Sequence, residues 1–282
     1  MTAIHLAAGA PRFPARLSTI PSPPTGLWIA GHPEHLPSPS TRAVAVVGCR
    51  AASRDGLDAA RRMAGALAGA GVTVVSGLAR GIDAAAHQAT LDAGGRTIAV
   101  LGSGLARPYP PEHAALADAI AASGAVVSEF PPDTPPRPWT FPLRNRLIAG
   151  LADAVVVVEA PERSGALITA SAALDQGREV LVVPGRVGGG RNRGGHRLIR
   201  DGARLVESAD DVLEDLGWTP AGAIRDTGAR PEPVEVTVDE LAARSGEPAQ
   251  VVLARLLQLE LDGEVQRIGS ARFLCLRGRV LT

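Results

Sequence analysis

Hydrophobic positions along the middle of this chain come in short unbroken runs rather than in alternation. Such runs occupy 43–47, 71–75, 97–101, 125–127, 154–158 and 179–183, and glycine, serine or glutamate follows most of them closely. Four or five consecutive Val, Ile, Leu and Ala positions predict strands covered on both faces, as in a parallel sheet. Between them lie segments of good helix formers, such as 55–70 and 84–89. Strand and helix in regular alternation predict an α/β fold, a Rossmann-like doubly wound parallel sheet, over 42–218.

The pattern changes at both ends. Residues 1–41 are rich in Pro, Ser and Gly and read as an extended arm packed through Leu27, Trp28 and Ile29. Residues 219–233 are a Pro/Gly-rich linker. Beyond it, Thr237-Val238-Asp239-Glu240 matches a capping box. A short helix to Ser245, a turn at Gly246 and a second helix from Pro248 follow. Val251, Val252, Leu256, Leu257 and Leu259 give that second helix an apolar face. Two strands, 264–268 and 272–276, join at Gly269-Ser270. Helix, turn, helix and hairpin predict a small C-terminal winged-helix domain over 234–282.

The stretch Ser76-Gly77-Leu78-Ala79-Arg80-Gly81-Ile82-Asp83 connects a strand's end to a helix's start. Ligands of open parallel sheets bind at such turns. Gly77 and Gly81 permit close backbone approach, free N–H groups of a first helical turn favour an anion, and Arg80 adds a planar cationic fork. Gly48, Gly102 and Gly185 end other strands. Phe141-Pro142-Leu143-Arg144-Asn145-Arg146 combines a ring for stacking, an amide for base edges and two guanidiniums for phosphate. The alternative is that Arg144 and Arg146 pair with Glu129 and Glu159 and hold loops. Ser164-Gly165-Ala166 opens a helix after the strand ending at Glu159; Ser164 is there an N-cap, a phosphate donor, or both. Six arginines between 186 and 204 form the densest basic cluster, with acidic residues following that could neutralise it. Asp83 and His87 lie one helical turn apart, as an acid–base couple or as a cap and a packing residue.

Composition narrows the choices. The 282 residues carry 29 basic and 29 acidic side chains, so no overall field draws the protein to a polyanion and any such site is local. Every one of the basic residues is arginine. Without lysine there is no Walker loop, and no Gly-x-Gly-x-x-Gly follows the first strand. Neither a Gly-x-Ser-x-Gly elbow nor Cys/His spacing for a metal occurs; the two cysteines, Cys49 and Cys275, are far apart. No apolar run is long enough to span a membrane, and residues 1–10 lack the pattern of a signal peptide. The expectation is a cytoplasmic protein without cofactor or metal.

The motifs together resemble the DNA-processing protein A family (DprA, also called Smf). The resemblance is carried by Val47-Gly48-Cys49-Arg50, Ser76–Asp83 with His87, Tyr109-Pro110, Ser128-Glu129-Phe130-Pro131, Phe141–Gly150, Val158-Glu159-Ala160, Ser164–Ala170, Gly177-Arg178-Glu179-Val180 and Pro184-Gly185. It covers about 42–210 in a single order. It implies a homodimer that binds and protects incoming single-stranded DNA and helps load the RecA recombinase in natural transformation, with no catalytic turnover. The strand contacts it implies are Arg50, Ser76, Gly77, Arg80, Gly81, Gly102, Phe141, Arg144, Asn145, Arg146, Ser164 and Gly165. The chain departs from the family in carrying Cys49 where a small residue such as Ser is usual. It also has no basic segment after Tyr109-Pro110, for which Arg137 partly compensates. A phosphoribohydrolase-type nucleotide-processing enzyme is the alternative, although its Pro-Gly-Gly-x-Gly-Thr-x-x-Glu motif is not found. For the winged-helix segment, its mixed charge implies an interaction module rather than a reader of duplex DNA.

Overall fold

A computed structural model describes residues 3–218, 234–261, 265–268 and 272–275. The chain divides into two compact units, Met1–Thr219 and Pro220–Thr282. The elements of the first are β1 (Ala3–Ala7), α1 (Ala15–Ser18), β2 (Gly26–Gly31), β3 (Ala43–Val47), α2 (Arg54–Gly69), β4 (Thr73–Ser76), α3 (Ile82–Asp92), β5 (Thr97–Leu101), α4 (Ala114–Ser123), β6 (Ala125–Ser128), α5 (Thr140–Leu151), β7 (Ala154–Val157), α6 (Gly165–Asp175), β8 (Glu179–Val182), α7 (Arg193–Arg200), β9 (Arg204–Leu205) and α8 (Ala209–Asp215). They build one nine-stranded sheet in the order β1-β2-β6-β5-β4-β3-β7-β8-β9.

Strands β3 to β9 pair in parallel. Every residue of β3, β4, β5, β6 and β7 is buried, as their unbroken apolar runs require. Val74 and Val156 pack with Met63 and Leu67 of α2 on one face, while Val75 and Val155 pack with Leu147 and Ile148 of α5 on the other. The order reverses between β3 and β7, which opens a crevice at their C-terminal ends.

The sheet is mixed rather than wholly parallel. The N-terminal segment is no free arm: β2 pairs antiparallel with β6, Trp28 opposite Ser128, and β1 pairs antiparallel with β2. Leu27 and Ile29 are buried and Trp28 half-buried. Prolines concentrate between these strands, where the chain turns, so a proline-rich composition concealed two strands. β2 also covers what would otherwise be the exposed edge of β6.

The second unit contains β10 (Val234–Thr237), α9 (Val238–Ser245), α10 (Ala249–Leu261), β11 (Val265–Arg267) and β12 (Arg272–Cys275), with sheet order β10-β12-β11. Thr237 and Glu240 form the expected capping box. β10 has no counterpart in the sequence reading; it pairs antiparallel with β12. Val252 and Leu256 are buried with Phe273, but Val251 is 46% and Leu257 39% exposed, so the apolar stripe is narrower than its composition suggests. The linker, the wing turn at Gly269-Ser270 and the tail with Arg277 and Arg279 lie outside the described residues.

Candidate nucleic-acid interface

The turns after β3, β4 and β7 meet over the crevice and enclose an open cavity of about 720 Å³. Arg50, from the turn after β3, lies across the Phe141 ring with its guanidinium carbon 5.3 Å from the ring centre. Tyr109 tilts against the Phe141 ring, with ring centres 5.5 Å apart. Arg137 enters from the loop before α5, and Arg163 from the turn before α6. Arg50, Arg137 and Arg163 are exposed, and none of the three is ion-paired among the described residues. Asp83 is the one acidic side chain lining the cavity, and it is buried. The rim is therefore net cationic although the chain is neutral.

The floor is built differently. Arg144 is only 4% exposed. Its Nη1 donates to the carbonyls of Gly77, at 2.7 Å, and Val100, and its Nε donates to Asn145 Oδ1 at 3.3 Å. Burial draws the guanidinium down to about 10, with the Asp83 charge opposing. Burial raises the Asp83 carboxyl, against Arg144 and the backbone N–H groups of Ala79 and Gly77. Asn145 is buried and donates from Nδ2 to the Gly165 carbonyl at 3.2 Å. One polar network thus ties α5 to the ends of β4 and β5 and to the start of α6.

At the mouth, the Ser164 hydroxyl accepts from Ala166 N–H at 3.3 Å as an N-cap, while Gly165 is exposed with open space where a Cβ would stand. The first turn of α6 consequently presents backbone to the cavity, a geometry suited to an anion. Across the crevice, Gly81 begins α3 at φ +77°, and a Cβ there would stand 2.3 Å from the Cys49 carbonyl oxygen. Only glycine lets that turn pass beneath the end of β3. Leu78, buried and at φ +58°, holds a strained backbone in the same turn.

The cavity brings together Arg50, Arg137, Phe141, Arg144, Asn145, Ser164 and Gly165 from the expected set. Gly77 and Arg80 line a small adjoining pocket with Tyr109. Arg80 also pairs with Glu112, at 2.5 Å, so its charge is partly neutralised. Gly81 lines a separate groove on the far side of Arg50.

Four residues need correction as surface contacts. Ser76 is fully buried and donates to the Val46 carbonyl at 2.7 Å. Gly102 is buried beneath Phe141, whose Cδ1 would lie 2.8 Å from an added Cβ. Arg146 forms a two-pronged ion pair with Glu129, at 2.7 and 2.9 Å, and also donates to the Ser22 carbonyl. Arg144 supports the floor from below, as described above. Glu159 partners neither Arg144 nor Arg146: it accepts from the Ser53 N–H and hydroxyl at the start of α2. Arg163 was missed, although its place beside Ser164 in a strand-to-helix turn marks it. In the basic 186–204 segment Arg186 pairs with Asp55, Arg197 with Asp201 and Arg204 with Asp215, so part of its charge is neutralised.

Asp83 and His87 do not form an acid–base couple. His87 is fully buried and hydrogen-bonds Thr97 Oγ1 at 2.6 Å. Because Thr97 donates to the Val74 carbonyl, its oxygen accepts from His87 Nδ1–H. Burial, with the Arg144 charge adding to it, lowers His87 from 6.5 to about 3. An unfolded chain therefore takes up this proton below pH 6.5 while the folded chain does not. Stability is complete above that pH and is lost as pH falls towards 3, by about 2 kcal/mol at pH 5 from this group. The expected result is a melting temperature that falls between pH 7 and 5, with a shallower slope in His87→Gln. An identical slope in the two proteins would contradict the assignment.

Comparison with known proteins adds to this geometry. The model of a family described as DNA recombination-mediator protein A matches residues 5–217, and that of the DprA winged helix domain matches residues 230–269. Protein Smf of Escherichia coli is 41% identical over 277 residues, covering 91% of this chain and 73% of that protein. DNA processing protein DprA of Streptococcus pneumoniae is 44% identical over 204 residues, covering 72% and 71%. The X-ray structure of the Streptococcus pneumoniae protein superposes with a TM-score of 0.72 at 40% identity, over 76% of this chain and 75% of that one. A structure of DNA processing protein A from Helicobacter pylori, described for its unique single-stranded DNA binding mode, superposes with a TM-score of 0.69 at 26% identity, over 77% and 96%.

Proposed function

The chain belongs to the DNA recombination-mediator protein A family, and from that premise we propose that it binds single-stranded DNA in the cavity at the switch point of its sheet. The observation that carries this reading is the set of three exposed, unpaired arginines, Arg50, Arg137 and Arg163, around an aromatic wall and the open first turn of α6. Cations and backbone N–H groups suit phosphates, and Phe141 and Tyr109 suit a base face. A duplex keeps its base faces stacked inside and cannot use those rings. The Helicobacter pylori relative of the same fold supports the choice of strand.

The protein further holds the strand as a homodimer, protects it and passes it to the RecA recombinase; this part rests on family membership. Leu174, near the end of α6, and Leu205, on edge strand β9, are 59% and 50% exposed, and a second copy would cover such side chains. The winged-helix unit acts as an interaction module. Among its described residues Arg255 is already paired with Glu247.

The expected result of a competition assay without nucleotide or metal is tighter binding to oligo-dT than to duplex of equal length. Equal affinity for the two would overturn the proposal. Release of a base or sugar phosphate from a nucleotide would favour a nucleotide-processing enzyme.

A further inference from the structure

The cavity has an aromatic neighbour that the proposed contacts leave unused. Trp139 stands just before α5, at 53% exposure. Its sequence neighbours Arg137, Pro138 and Phe141 line the cavity, while the indole itself lies outside that lining, against Phe130. The chain holds four phenylalanines, three tryptophans and one tyrosine. Half of these, Tyr109, Phe130, Trp139 and Phe141, meet in pairs at this one edge of the sheet. A protein this poor in aromatics has placed its most exposed one within two residues of Arg137, one of the unpaired cations of the cavity.

The indole is also held. Phe130 meets it edge to face, with centres 6.2 Å apart and planes at 79°. An edge-to-face contact covers at most one face of either ring, so Phe130 leaves at least one indole face uncovered, and the side chain is 53% exposed. The turn below is locked from both directions: the Thr140 hydroxyl donates to the Arg137 carbonyl at 2.7 Å and accepts from Arg137 N–H at 3.3 Å. Thr140 is fully buried, and prolines at 136 and 138 restrict the backbone. A ring held in advance loses little freedom when a ligand stacks on it.

We propose that Trp139 is a second stacking platform, taking a base of the nucleotides that run out of the cavity past Arg137. This inference rests on single-strand binding in the cavity and extends the site beyond it. The partner is a flexible single strand because stacking accepts any base, and the neighbouring free arginine serves the phosphate beside it.

The test compares full-length wild type with Trp139→Ala, using fluorescein-labelled oligo-dT of increasing length and an abasic oligomer of the longest length. Trp139→Ala should bind the shortest oligomers as wild type does and long oligo-dT about tenfold more weakly. The two proteins should bind the abasic oligomer alike, and Trp139→Phe should restore most of the loss. Indole fluorescence should be quenched by long oligo-dT in wild type and much less in Trp139→Ala. If wild type binds no oligomer, the cavity reading itself fails. If wild type binds and Arg50→Ala weakens it while Trp139→Ala changes neither affinity nor quenching, the platform alone is overturned. A change of mass in light scattering with unchanged affinity would make Trp139 a protein contact and equally overturn it.

Discussion

Replacing Arg144 with alanine should lower the melting temperature by roughly 6–20 °C and leave a correctly folded remainder that still binds DNA at low temperature. The side chain is 4% exposed, and Nη1 donates to the carbonyls of Gly77 and Val100. Its charge also opposes the burial of Asp83 more than the Gly77 and Ala79 N–H groups or the Arg50 charge do. Alanine would leave two carbonyls unpaired and a carboxylate uncompensated in the interior. Breaking a buried pair from one side costs about 3–5 kcal/mol, and for a unit of this size each kcal/mol moves the midpoint by about 2–4 °C. Removing the carboxylate as well, in Arg144→Met with Asp83→Asn, should recover part of the loss. A normal melting temperature with a reduced salt dependence of DNA binding would instead make Arg144 a direct phosphate contact.

The second large effect concerns Arg50, Arg137 and Arg163. Each is exposed and without an ion pair, so alanine should leave the melting temperature within about 2 °C of wild type. If each neutralises one phosphate, each substitution should flatten the slope of log K against log[salt] by ~0.7, and the triple variant by about 2. Arg146→Ala is the matched control. Its guanidinium is committed to Glu129 and to the Ser22 carbonyl, so it should lose stability and keep the slope. A triple variant with the wild-type slope would place the DNA elsewhere on the protein.

Between residues 43 and 183 the six strands, their order along the chain and the turns that follow them were legible in the sequence alone. The reason is local: an unbroken run such as 154–158 has no polar face to leave wet, and a glycine after it has few uses except a turn. Phe141, Ser164 and Gly165 lie where a turn enters a helix, and Asn145 lies one helical turn further along α5, so the sequence places them near one sheet edge. Which arginines face solvent was decided only by tertiary structure. Arg144 and Arg146 are two residues apart on one helix; one faces the carbonyls at the ends of β4 and β5, the other reaches Glu129 at the end of β6. Arg163 has no ion pair among the described residues, and Glu159, two residues past β7, is engaged by Ser53 at the N-cap of α2 instead. The two N-terminal strands were hidden for the same reason. Their edge position tolerates prolines nearby, and their partner β6 lies about a hundred residues along the chain. Charge and composition belong to single residues, but whether a cation is spent or available depends on partners that only folding brings near.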